Sequence, residues 1–398
     1  RVINARSTVV QEMLSKLSSF TQETFSGISV IKSYGLEGNT HKKFDTLALE
    51  AKEKNMNLAK VQAWFFPLMI LLIGISNLIV IFIGGQQYID DEIEIGVLAE
   101  FIIYINMLTW PVAVVGWVTS VVQQAEASQK RINAFLKEQP EIESGKDVTQ
   151  KVTGNIEFKN VSLSYPETGI KALDNVNLSI PSGSTLGIIG NIGSGKSTLL
   201  DAILRLYDPS QGSIEIDGHD LKEYTLSELR DAIGYVPQNA FLFSESIEDN
   251  IRFGNPNASD EAIQAIAKKA VVHNNIVKFK EGYKTLLGER GVTLSGGQIQ
   301  RVSIARALIK DPQILLLDDC LSAVDTDTEE EILKHLKSIT KDKTTLIVSH
   351  RISSLKHADQ IVVFENGKIV QQGQHTDLIE VEGYYKELFE IQQANSSK

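Results

Sequence analysis

The string Gly190-Asn191-Ile192-Gly193-Ser194-Gly195-Lys196-Ser197-Thr198 constrains this chain more than any other feature. It follows an alternating stretch over 176–189 that ends in the apolar run Leu186-Gly187-Ile188-Ile189. It leads into Leu199-Leu200-Asp201-Ala202-Ile203-Leu204, which reads as helix. Strand, glycine-rich turn and helix in that order, with the spacing G-x-x-x-x-G-K-[ST], make a phosphate loop. Glycines let the backbone curl until its N–H groups converge, and the helix N-terminus adds the positive end of its dipole. The pattern predicts an α/β domain in which Lys196 reaches the outer phosphates of a nucleoside triphosphate and the Ser197 hydroxyl ligates Mg2+. An ordinary glycine-rich turn lacks this strand and helix context.

Two further segments fit the same domain. Ile314-Leu315-Leu316-Leu317 is a β-run apolar on both faces that ends in Asp318-Asp319. A carboxylate at the C-terminal end of a central parallel strand lies beside the phosphate loop, where it holds Mg2+ directly or through water. A solvated pair of aspartates is the blander alternative, and the phosphate loop argues against it. The second segment, Leu294-Ser295-Gly296-Gly297-Gln298, is a small-residue loop leading into Ile299-Gln300-Arg301-Val302-Ser303-Ile304-Ala305-Arg306-Ala307. It is a second helix N-terminus suited to an anion, and one nucleotide hardly needs two from one chain.

The N-terminal third has different chemistry. No charged residue occurs from Val61 to Ile89 or from Phe101 to Ala125. Each run exceeds the roughly 20 residues a helix needs to cross a bilayer. The loop between them holds Asp90, Asp91, Glu92, Glu94 and Glu100, while Lys52, Lys54, Lys60, Lys130 and Arg131 flank the outer ends. That asymmetry puts the loop outside and both chain ends in the cytoplasm. Pro67, Asn77, Pro111 and Gly116 inside the runs suit helices packed on protein neighbours, as part of a larger bundle. Residues 7–60 read as helical, and Phe20 to Lys32, interrupted at Gly27, as a short helical turn. Pro140 to Asp147 is a polar linker. Net charge is −2 over residues 1–152 and −9 over 153–398, which argues against a nucleic-acid partner. The single cysteine, Cys320, excludes a disulfide framework and a thiolate zinc site.

Taken together, these motifs resemble the ATP-binding cassette (ABC) family, specifically its exporters. Leu294 to Gln298 matches the LSGGQ signature, which the resemblance assigns to the ATP site of an opposite subunit. Tyr165 matches the aromatic that stacks on adenine. Gln238, in Val236-Pro237-Gln238, matches the glutamine that senses Mg2+. Gly288-Glu289-Arg290-Gly291 resembles the exporter X-loop, Ser322-Ala323-Val324-Asp325 the D-loop, and His350 the switch histidine near the γ-phosphate. Residues 1–137 resemble the C-terminal part of an exporter transmembrane domain, with spans about 62–85 and 98–122 and a coupling-helix region about 20–33. Residues 138–152 are a linker, and 153–398 the nucleotide-binding domain. The chain begins at Arg1, and the resemblance implies four further transmembrane helices ahead of it.

The resemblance implies an α-helical transmembrane piece joined to a P-loop α/β domain in the plasma (bacterial inner) membrane. It implies ATP and Mg2+ as ligands and a second half-transporter as partner, in a homodimer or a heterodimer. Membrane lipid surrounds it, and the cargo is a drug-like amphiphile, a lipid or a peptide. Asn77, Tyr104, Asn106, Trp110 and Trp117 are candidates for lining the cargo cavity, or for helix packing. One position departs from the family. Asp319 stands where the general base is usually Glu, and one lost methylene withdraws the carboxylate by about 1.5 Å. Catalysis is sensitive to such displacements, so the site on this chain is expected to be slow, with its intact signature serving a partner. A regulatory half with little hydrolysis, and a soluble ABC ATPase of nucleic-acid maintenance, are the competing classes. The uncharged spans and the acidic cassette disfavour the soluble one.

Overall fold

The computed structural model describes residues 2–145, 152–288, 294–322, 324 and 326–396. The chain divides into two compact units, Arg1–Glu138 and Gln139–Lys398. In the first, helices α1 (Val2–Ser26), α2 (Ile28–Ser33), α3 (Glu37–Ala63), α4 (Phe65–Ile89) and α5 (Ile95–Lys137) follow one another. Gly27 separates α1 from α2, so the segment 20–33 spans the end of one helix and the whole of a short second one. The break at Trp64 has a local cause. Pro67 has no N–H to donate to the Ala63 carbonyl, and it falls in the first turn of α4, where a missing donor costs least. Along α4 the side chains of Leu71, Leu72, Leu78 and Phe82 are exposed, an uncovered apolar surface that calls for lipid or protein against it. The acidic turn at Asp90-Asp91-Glu92 leads back into α5. Gly84 lets the two helices approach closely, since a Cβ there would stand 2.4 Å from Leu98 Cδ1.

The second unit begins with β1 (Ile156–Ser164), β2 (Lys171–Ile180) and β3 (Thr185–Gly190), followed by α6 (Lys196–Ile203). Next come β4 (Gln211–Ile216), β5 (His219–Asp220), α7 (Leu226–Asp231) and β6 (Ile233–Val236). Helices α8 (Ile247–Arg252), α9 (Asp260–Lys269), α10 (His273–Ile276) and α11 (Gly296–Ile309) form a helical region. The chain then runs through β7 (Ile314–Asp318), α12 (Thr326–Ile339), β8 (Thr344–Val348) and α13 (Ile352–Leu355). It ends with the hairpin β9 (Gln360–Glu365) and β10 (Lys368–Gly373), α14 (His375–Leu378) and α15 (Tyr384–Ser396).

The stretch over 176–189 is two strands in two sheets rather than one continuous run. Pro181 offers no ladder donor, and Ser184 N donates back to its carbonyl at 3.1 Å, which closes a turn after β2. β2 joins an antiparallel sheet of order β2-β1-β4-β5, and β3 enters a six-stranded sheet of order β10-β9-β3-β8-β7-β6. Strands β9, β3, β8, β7 and β6 are parallel. They are buried on both faces, which is why they read as unbroken apolar runs. Ile188, Ile314 and Leu316 pack into the core shared with the antiparallel sheet. Ile189, Leu315 and Leu317 face the core shared with the helical region.

Candidate nucleotide-binding site

Strand order gathers the predicted residues. In the parallel series β3-β8-β7-β6 the C-terminal ends carry, in turn, the Gly190–Thr198 loop, His350, Asp318 with Asp319, and Gln238. Residues distant in sequence become neighbours because adjacent parallel strands end on the same edge, where α/β sheets place their ligands.

Within the loop, Gly195 has φ +103°, and a Cβ on it would fall 2.3 Å from the carbonyl oxygen of Ala172. Only glycine fits that backbone. Gly195 is also the N-cap of α6, and no side chain caps that helix. Lys196 Nζ donates to the carbonyl oxygens of Gly190 and Asn191, at 2.9 and 2.7 Å. Burial lowers the Lys196 pKa, and the charges of Asp318 and Asp319 oppose that shift. The Ser194 carbonyl accepts from Gly367 N at 3.0 Å, so the tight Asn366-Gly367 turn between β9 and β10 anchors the loop from behind. Ser194 Oγ is buried, with no hydrogen-bond partner among the described residues. Ile192, at the tip, is exposed.

Asp318 and Asp319 are both buried rather than solvated. The Ser197 hydroxyl lies near enough to the Asp318 carboxylate to favour its charged form. Burial raises the Asp318 pKa and the Asp319 charge adds to the rise, while the Ser197 hydroxyl, Lys196 and His350 work against it. Asp319 has φ +43°, in the left-handed region. Its N–H donates to the Val348 carbonyl at 2.9 Å, its carbonyl accepts from Ser322 Oγ at 2.9 Å, and its carboxylate accepts from Gln238 Nε2 at 3.4 Å. A short acid in a strained backbone is thus tied on three sides. Cys320 follows it, fully enclosed, and burial pushes its thiol pKa far up.

The Tyr165 hydroxyl shares a 2.7 Å hydrogen bond with Thr198 Oγ1, and its ring meets Tyr207 edge-on, with centroids 5.0 Å apart. Leu294, Ser295, Gly296, Gly297 and Gln298 lie at the start of α11, which packs against α8 and α9. Ser295 Oγ accepts from Gln298 N, and the Gln298 side chain accepts from Ser295 N, a closed capping box. Among the described residues no hydrogen bond joins this signature to the Gly190–Thr198 loop. Of the X-loop only Gly288, and of the D-loop only Ser322 and Val324, are among the described residues.

Residues 173–322 match the ABC transporter family, and residues 1–112 match the ABC transporter transmembrane region. The multidrug resistance-like ATP-binding protein MdlA of Escherichia coli (strain K12) is 38% identical over 395 residues, covering 99% of this chain and 67% of its own length. The chain belongs to the ABC transporter family. The uncharacterized ABC transporter ATP-binding protein YknU of Bacillus subtilis (strain 168) is 40% identical, over 96% of this chain and 66% of its own length. A solved bacterial Atm1-family ABC exporter with ATP bound has a TM-score of 0.88 at 29% identity, over 98% of this chain and 70% of that one. The chain spans about two thirds of the length of the curated relatives it matches. It pairs a helical transmembrane region with an ABC nucleotide-binding domain.

The ABC domain also places residues that sequence reasoning passed over. Asp201, in α6, stands four residues after Ser197 and so on the same helix face. Burial, helped by the charge of Asp318, raises its pKa to about 6. Glu329 on α12 is almost fully buried, and it pairs with Arg351 and accepts from Ser354 Oγ. The i,i+4 spacing could have flagged Asp201. Glu329 lies in an acidic run that reads as a solvated face.

Proposed function

We propose that this chain is half of an ATP-driven exporter of the plasma membrane, with spans at about 62–85 and 98–122 forming part of its helical bundle. The observation that carries the proposal is the buried Asp318 at the C-terminal end of β7, within electrostatic reach of Lys196 at the uncapped start of α6. Lys196 and the first N–H groups of α6 bind the outer phosphates, and Ser197 with Asp318 would hold the cation beside them. Tyr165 stacks on the base once its hydroxyl leaves Thr198. The orphaned Ser194 hydroxyl also suits a polar ligand at the loop.

Ser197, Asp318 and the amide oxygen of Gln238 offer only hard oxygen donors, which fits Mg2+. Among the described residues no group of three His, Cys, Asp or Glu forms a closed metal cage. Bound there, Mg2+ would neutralise charge on the phosphate oxygens. Asp319 acts as the general base that orients the attacking water, and His350 stands by the terminal phosphate. The signature Leu294–Gln298 completes the site of a second half-transporter. The strongly acidic balance argues against a nucleic-acid partner, and cargo is a drug-like amphiphile, a lipid or a peptide.

Asp319 supports a slow site on this chain, because the shorter acid is also held against Gln238 by a strained backbone. The regulatory reading, in which the chain binds ATP but hydrolyses little, extends that same observation. With the transporter reconstituted in proteoliposomes, Asp319→Glu should raise phosphate release from ATP by on the order of tenfold to a hundredfold. An unchanged rate removes the slow site. No MgATP hydrolysis by either protein removes the transport ATPase.

A further inference from the structure

His350 carries no side-chain hydrogen bond among those described, yet its backbone is gripped from a distant element. The side-chain amide of Gln392, on α15, faces the segment His350-Arg351-Ile352 and makes two hydrogen bonds of opposite sense. Gln392 Nε2 donates to the His350 carbonyl at 2.7 Å, and Gln392 Oε1 accepts from Ile352 N at 2.9 Å. Ile352 is the first residue of α13, so its N–H is one of the donors that a helix start leaves without an intrahelical partner. The amide matches this donor-acceptor pair in one orientation only. Turned over, it would set N–H against N–H and oxygen against oxygen.

The residue between the two gripped groups reaches the other way. Arg351 pairs with the buried Glu329 and donates to the carbonyls of Val324 and Ser322, at 3.3 and 3.4 Å. Arg351 N donates to Ser349 Oγ at 3.0 Å, and Ser349 N to the Ile188 carbonyl at 3.1 Å. The His350 segment is therefore fixed on the sheet side by β3, on one flank by α12 and on the other by α15. Val348, two residues before His350, stands opposite Asp318 in the β7–β8 pairing, and its carbonyl accepts from Asp319 N at 2.9 Å, so a shift of this backbone is felt at the carboxylate pair.

We infer that Gln392 is a positioning residue for His350, through which α15 sets the rate of the nucleotide site. The inference rests on the proposed ATPase reading. The described hydrogen bonds of Gln392 go to the backbone of His350 and Ile352, so its effect on the nucleotide site is read through the His350 segment. Loss of such a supporting hydrogen bond typically costs on the order of tenfold in activity.

The test measures ATP hydrolysis by the transporter in proteoliposomes, for wild type, Gln392→Ala and Gln392→Glu, each with and without His350→Ala. Gln392→Glu keeps the length and the acceptor but removes the donor to His350, so it carries the test even where Gln392→Ala fails to fold. Both variants should lower kcat about tenfold and leave KM for ATP within about twofold. In the His350→Ala background, read with radiolabelled ATP, neither should lower the residual rate further. A kcat equal to wild type, a change confined to KM, or a full additional loss without His350 overturns the inference while leaving the ATPase intact. No MgATP hydrolysis by the wild type or by Asp319→Glu overturns both.

Discussion

Helix α6 starts at Gly195 with no side chain over its first N–H groups, whereas α11 starts at Ser295 with a capping box closed by Gln298. Both are helix N-termini preceded by glycine-rich or small-residue loops in one domain, and both were read from sequence as anion cradles. The α11 end is complete in itself: its cap stabilises the helix by about 1 kcal/mol whether or not a ligand arrives. Among the described residues, the α6 end has its donors committed to nothing, and a buried hydroxyl beside it lacks a partner. Its stabilisation comes from what it binds, at RT ln(1 + [L]/Kd). A phosphate-binding terminus and a self-capped terminus are thus distinguishable by their local hydrogen bonds, though the same kind of sequence pattern announces both.

Substitutions can break or sharpen that contrast. The largest effect belongs to Gly195→Ala, which forces a Cβ against the Ala172 carbonyl at a left-handed φ. It should cost about 3 kcal/mol of domain stability in a denaturant titration. A loss under about 1 kcal/mol would show that the uncapped end is not rigidly held. Asp201, one turn along from Ser197, has the next largest effect. Its folded pKa, near 6, lies above the unfolded value near 4. Stability from this group is complete below about pH 4 and is lost as pH rises through about 6. Asp201→Asn should therefore raise stability by about 1–2 kcal/mol above pH 6, after allowance for partial exposure, and give no gain below pH 4. A gain independent of pH would mean that the carboxyl does not titrate there. Ser295→Ala, at the other terminus, should cost only about 1 kcal/mol by thermal denaturation. A loss as large as that of Gly195→Ala would erase the distinction.

The phosphate loop and the Asp318-Asp319 strand end were legible because their function is written into backbone shape and local spacing. The gathering of His350 and Gln238 beside them was legible only through family resemblance, since strand order sets it and no local pattern encodes that order. The split at Pro181 was missed because two strands in different sheets, each apolar toward a core, merge into one run when read linearly. Glu329 and Gln392 were illegible for another reason. Each is a polar residue on a helix with other polar residues, and its partner lies |i−j| = 22 or 42 residues away. Ser295 and Gln298 did carry a local signal, since Ser-x-x-Gln is a capping box in its own right.

Cys320 has a consequence beyond the site it adjoins. The thiolate is the form that reacts with alkylating reagents. The one sulfhydryl of this chain is enclosed and held protonated. The folded chain is therefore a natural blank for thiol chemistry. Probes attached through a cysteine introduced on α15 or on the α11 loop would report motion at that position without background from Cys320.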